Sequence, residues 1–242
     1  MTYGHLWVMV NMSSLTNSTP PSTIENAAVL SDRRKRRGNE TRERLFRAAL
    51  QLFAEKGFAE TTVEDITEVA DVGKGTFFNY FPSKDHILLA FGELQFGKLE
   101  AMIASVRTSG EPIREFMRSL GVRMTQEPVR NPAVVRALLQ GYLSTTPVRA
   151  AMMDLQRRVQ ALHTEMIQIG QNRGEIRDDK PASEIAQVFR QTIFGTLLMW
   201  SLSGDATLND RMESAFDLLW TGLAPRGNAE PIAPAPLFTS GD

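Results

Sequence analysis

Residues 61–88 read TTVEDITEVADVGKGTFFNYFPSKDHIL, and the punctuation of this stretch governs how the rest is read. Thr62-Val63-Glu64-Asp65 is a capping-box pattern, in which the Thr62 hydroxyl caps a helix start and the Asp65 carboxylate reaches back. It opens a short helix that ends near Ala70 and buries Val63, Ile66 and Ala70. Asp71-Val72-Gly73 makes a tight turn, and a second short helix runs from about Lys74 to Tyr80. Pro82 stops it, because the residue before a proline is pushed out of the helical region. Ser83 then caps a longer helix, with Asp85 favourable at its positive end.

Upstream, Leu45, Ala48, Ala49, Leu52 and Phe53 form one apolar stripe of a helix predicted from about Asn39 to Lys56. Gly57 supplies a left-handed cap, and Phe58 folds back on the last turn. Directly before this helix stands the basic run Arg33-Arg34-Lys35-Arg36-Arg37.

Two short helices joined by a tight turn and braced by a longer one are the layout of a helix-turn-helix reader of double-stranded DNA. The second short helix must anchor one side and present small or polar groups on the other. Val72, Phe77 and Phe81 are spaced to pack inward; Lys74, Gly75, Thr76, Phe78, Asn79 and Tyr80 remain to face the duplex. Gly75 allows close backbone approach, while Thr76, Asn79 and Tyr80 suit phosphate oxygens or base edges. Lys84 is placed for a phosphate. The basic run, with Arg36 and Arg37 nearest the helix, has two readings: an arm on phosphates or in the minor groove, or a solvated segment adding only non-specific attraction.

The stretch Thr41–Leu88, and above all LFAEKGF, TTVEDI and VGKGTFFNYFPSKD, resembles the N-terminal domain of the TetR family of transcriptional regulators. The resemblance implies a three-helix DNA-binding domain, joined through the fourth helix to a larger all-helical domain that dimerises and binds a small molecule. It carries DNA contacts onto Thr62, Lys74, Gly75, Thr76, Phe78, Asn79, Tyr80 and Lys84. Three positions depart from the family pattern. Asp71 stands where glycine is common, and Asp tolerates the left-handed region. Gly73 replaces a better capping residue, and Phe78 replaces a frequent tyrosine, leaving an apolar contact such as a thymine methyl.

Beyond about Ile103 only architecture is legible. Gly- and Pro-containing breaks divide it into about five helices, and no stretch shows strand alternation, so the fold class is all-α. The helices near 182–203 and 208–223 are heavily apolar. By resemblance they pair with their symmetry mates, with Phe189, Ile193, Leu197, Trp200, Phe216, Leu219 and Trp220 as interface candidates. A homodimer also follows from the reading, since one short helix specifies little and a two-fold dimer reads both halves of a palindromic operator. Candidates for the effector pocket are Phe116, Met117, Met124, Tyr142, Met152, His163 and Met166, mixing apolar lining with a few polar handles.

The organisation expected is a disordered extension over 1–32, a DNA-binding domain with basic arm over 33–86, a ligand-binding and dimerisation domain over 87–224, and a disordered tail over 225–242. Without cysteine there are no disulfides or thiolate sites, and the composition fits a cytoplasmic protein with no membrane segment. The first eleven residues lack a secretory pattern, and Met12 is an alternative start. Catalysis is not expected: His5, His86 and His163 are isolated, and no metal or cofactor motif is present. Gly73-Lys74-Gly75-Thr76 is not a phosphate loop, because Val69 and Gly75 occupy positions needing glycine and a hydroxyl. The reading is a sequence-specific repressor released by a small-molecule effector. A helical protein–protein scaffold is the alternative, and it leaves the capped pair of short helices unexplained.

Overall fold

The computed structural model describes residues 23–124, 131–141, 146–203 and 207–225, with side chains described from residue 35 onward except at 141 and 146. All regular structure among them is helical: α1 (Thr23–Glu55), α2 (Val63–Val69), α3 (Lys74–Tyr80), α4 (Asp85–Ser109), α5 (Ile113–Met124), α6 (Pro132–Gly141), α7 (Thr146–Asn172), α8 (Ala182–Ser203) and α9 (Leu208–Leu223). The chain divides into two units, residues 1–42 and 43–242. In the first, α1 begins at Thr23, so residues 23–32 are helical where disorder was expected, and the basic run is helical instead of a loose arm. The Ser, Thr and Pro residues that argue against helix cluster before Thr23, whereas TIENAAVLSDRRKRR has no proline and many good helix formers. Residues 1–22 and the tail beyond 225 lie outside the described residues.

In the second unit, Leu45, Ala49 and Phe53 are fully buried along the predicted stripe of α1. Gly57 turns the chain at φ 87°, and the Phe58 ring meets Phe53 edge-on at 5.0 Å. The capping box forms as read: Thr62 N donates to Asp65 Oδ2 at 2.7 Å and Asp65 N to Thr62 Oγ1 at 3.1 Å. Lys56 Nζ adds an ion pair 2.6 Å from the same oxygen, and it, with the Thr62 donors, holds the Asp65 carboxyl far below the usual carboxylate range. Asp71 occupies the left-handed region at φ 50°.

One apolar cluster runs from this head into the body. It joins Phe53, Ile66, Phe77, Phe81 and Phe91 to Val135 and Ala137 of α6 and Trp200 of α8. Packing therefore shows no seam at the expected 86/87 boundary. A second cluster builds the body from the later part of α4 with α5, α7, α8 and α9. Helix α4 is fastened to α7 by Glu93–Arg158 (2.7 Å) and by the Arg107–Glu165 pair. Beside the first pair the Leu155 side chain packs onto the α4 backbone, since a Cβ on Gly92 would lie 2.6 Å from Leu155 Cδ2. No described helix is long and apolar enough to cross a membrane.

Candidate nucleic-acid interface and effector cavity

Helix α3 is fixed from one side only. Phe77 is fully buried, Phe81 nearly so, and their rings lie 5.8 Å apart. Lys74, Gly75, Asn79 and Phe78 are exposed on the other side, Phe78 at 49 %. Thr62 is exposed at the start of α2. Gly73 offers no side-chain cap, as its residue type dictates, and the first turn closes through Thr76 N to Gly73 O at 2.8 Å. Thr76 and Tyr80 are half-buried, and Tyr80 packs against the head core, so its ring helps to anchor the helix.

Two basic candidates are already engaged. Lys74 pairs with Glu64, which lowers the Glu64 carboxyl pKa. Both are exposed, so the pair is weak and a phosphate can displace it. Lys84 differs. Its Nζ donates to the carbonyls of Phe58 (2.8 Å), Thr61 (2.9 Å) and Ala59 (3.2 Å) and lies 4.5 Å from the Phe58 ring centre. Three carbonyls take the three ammonium protons, so Lys84 ties down the α1–α2 connection instead of standing free for phosphate. The expected Ser83 cap is also absent: Lys84 is the N-cap of α4, and Ser83 Oγ pairs with His86 Nδ1 at 3.0 Å. Arg36 and Arg37 are exposed in the first unit, Arg36 facing Glu40 at 3.5 Å.

A cavity of about 230 Å³ lies within the body, walled by α4, α5, α6, α7 and α8. Of the predicted pocket residues, Met124, Met152 and His163 line it. Phe116, Met117 and Met166 are instead buried in the second core cluster, since apolar type alone does not separate core from cavity wall. Tyr142 lies outside the described residues. The sequence reading missed Phe91, Gln95, Phe96 and Arg190, which also line the cavity. Arg190 donates to Gln156 Oε1 (2.8 Å) and Gln160 Oε1 (3.0 Å). Burial, with the Arg190 charge second, pushes the His163 imidazole down to about 4. Among the described residues no group of His, Cys, Asp or Glu is arranged to hold a metal ion.

The interface candidates also need correction. Phe189, Trp200 and Phe216 are buried inside the subunit, and Ile193 and Leu197 line the cavity. Leu219 and Trp220 are half-buried against the second core cluster. The apolar side chains that α8 and α9 leave exposed are Val188, Phe194, Met199, Leu202 and Leu218. A helix apolar on most sides conceals which of its faces is internal, so size alone favours the larger residues.

A one-sided recognition helix on a helical body with an internal apolar cavity defines a helix-turn-helix regulator. Residues 45–91 match the model of bacterial regulatory proteins of the tetR family. It is 25 % identical over 214 residues to the HTH-type transcriptional repressor KstR of Mycobacterium tuberculosis, spanning 86 % of this chain and 94 % of that protein. The structure of Thermus thermophilus FadR, a TetR-family transcriptional repressor in complex with lauroyl-CoA, is 28 % identical, with a TM-score of 0.59 over 82 % of this chain and all of that one. Bacillus subtilis FadR in complex with stearoyl-CoA shares the fold, at 20 % identity and a TM-score of 0.63 over 74 % of this chain and 98 % of that one.

Proposed function

We propose that the chain is a homodimeric repressor that grips a palindromic operator with α3 and lets go when a small apolar effector enters the cavity. The carrying observation is Phe91 of α4, which belongs both to the head core beneath α3 and to the cavity wall. A ligand that alters the position of α4 therefore acts on the packing that holds the reader. Lauroyl-CoA in the Thermus relative supports an effector with a long apolar part. The exposed Val188, Met199 and Leu202 lie at helical spacing on α8 and, with Leu218 of α9, suit a second copy of the chain. Two copies place two α3 helices on successive major-groove faces, about 34–36 Å apart. The body binds effector, so the scaffold alternative has no use for the open face of α3.

DNase footprinting with the purified full chain across the DNA flanking its own gene tests this. The expected result is one protected palindrome, bound by two chains and released by effector. Uniform, salt-sensitive protection without a discrete site would contradict it.

A further inference from the structure

Gln95 on α4 and His163 on α7 both line the effector cavity, and Gln95 Oε1 and His163 Nδ1 are buried without a hydrogen-bond partner. A buried polar atom left unpaired is destabilising, so two in one apolar chamber are not filler. Packing alone would be better served there by leucine. His163 is 8 % exposed, and its ring stands edge-on to Phe189 with centroids 5.5 Å apart. The wall around them is mainly aliphatic and aromatic, with Phe91, Phe96 and Phe189 among its members.

We propose that Gln95 and His163 are the polar anchors of the effector, and that the effector class is an uncharged apolar molecule carrying a hydroxyl or similar donor–acceptor group. This rests on the effector reading above and narrows it. A carbonyl oxygen such as Gln95 Oε1 needs a donor. A neutral imidazole nitrogen needs a donor or an acceptor according to its tautomer. A hydroxyl supplies both, so it satisfies Gln95 and suits either form of His163.

A carboxylate supplies only lone pairs, which Gln95 Oε1 repels. Arg190 is the one charged side chain in the wall among the described residues, and two of its nitrogens already donate to Gln156 and Gln160. Burial keeps His163 neutral and so withholds a second cation. The chamber therefore selects against a buried anion.

Isothermal titration of the full chain with 1-decanol, decyl methyl ether and decanoate separates these demands. Decanol is expected to bind about tenfold tighter than the ether, which cannot donate, and tighter than decanoate. Gln95→Leu should weaken decanol to the level of the ether while leaving the ether unchanged, and His163→Leu should weaken decanol as well. Melting temperature and affinity for the footprinted DNA establish that each variant is folded. Equal binding of decanol and ether, preference for decanoate, binding unmoved by Gln95→Leu, or no binding of any probe overturns the assignment. The two readings fail separately. Specific DNA binding without decanol binding sinks only the anchor assignment, and decanol binding without specific DNA binding sinks only the repressor reading.

Discussion

The Phe91 ring lies nearly parallel to Phe46 of α1, with centroids 6.3 Å apart and planes inclined by 25°. Phe91 is fully buried and Phe46 half-buried, so the helix that walls the cavity is joined by aromatic packing to the first helix of the reading head. Phe91→Ala should cost about 3–5 kcal/mol in urea denaturation. Phe91→Leu should cost less than about 1.5 kcal/mol yet weaken the coupling between effector and operator, read as the ratio of operator affinities with and without effector. A full coupling ratio in Phe91→Leu would detach this contact from the switch.

Lys84 gives a test with two readouts. Lys84→Met removes the ammonium from three backbone carbonyls, and should lower stability by about 2 kcal/mol. A phosphate contact would also reduce the salt slope of DNA binding by about 0.9. The slope is expected to stay as it is once the folded fraction is matched.

Asp71 sits at φ 50°, where a Cβ is unwelcome. Asp71→Gly should raise the melting temperature, by up to about 1 kcal/mol of stability, with operator affinity unchanged. A loss of stability on thermal denaturation would show that the carboxylate holds the turn.

His163 makes stability depend on pH in a defined direction. Its folded pKa, near 4, lies below its ordinary value of 6.5, so the unfolded chain binds the extra proton first. The destabilisation is absent above pH 6.5, grows as pH falls, and levels off below about 4. It amounts to about 2 kcal/mol at pH 5. Denaturation midpoints at pH 7.5 and 5.0 should differ less for His163→Gln than for the wild type.

Met199 and Leu202 are 51 % and 63 % exposed on α8. Met199→Glu/Leu202→Glu should convert a dimer into monomers in sedimentation equilibrium, because a charge in an apolar seam is left unpaired. A dimer unaffected by both charges would place the interface elsewhere.

How far the sequence could be read follows from the range of the forces involved. Capping, turn and anchor signals are local, so Thr62, Asp71, Gly57 and Phe77 could be placed from neighbours a few residues away. The helices 182–203 and 208–223 were bounded by their breaks for the same reason. The carbonyl contacts of Lys84 are not legible in the sequence, because its partners lie 23 to 26 residues upstream, across a connection that no spacing rule describes. The cavity was legible only in part, since Met166 and Met152 look alike until five helices are assembled around them. Gln95 carries no signal at all, since a lone glutamine on a helix as apolar as α4 has no local partner to mark it.

The account stands first on the outer face of α3. The decisive measurement is fluorescence anisotropy of the full chain on the footprinted palindrome and on a scrambled duplex, beside Phe78→Ala/Asn79→Ala. Phe78 and Asn79 are exposed and outside the core, so the variant should keep the wild-type melting temperature. The predicted result is a preference for the palindrome of at least about a thousandfold, largely erased in the variant while weak binding to scrambled DNA persists. Retention of the full preference by the folded variant would contradict the assignment of α3 as the reader.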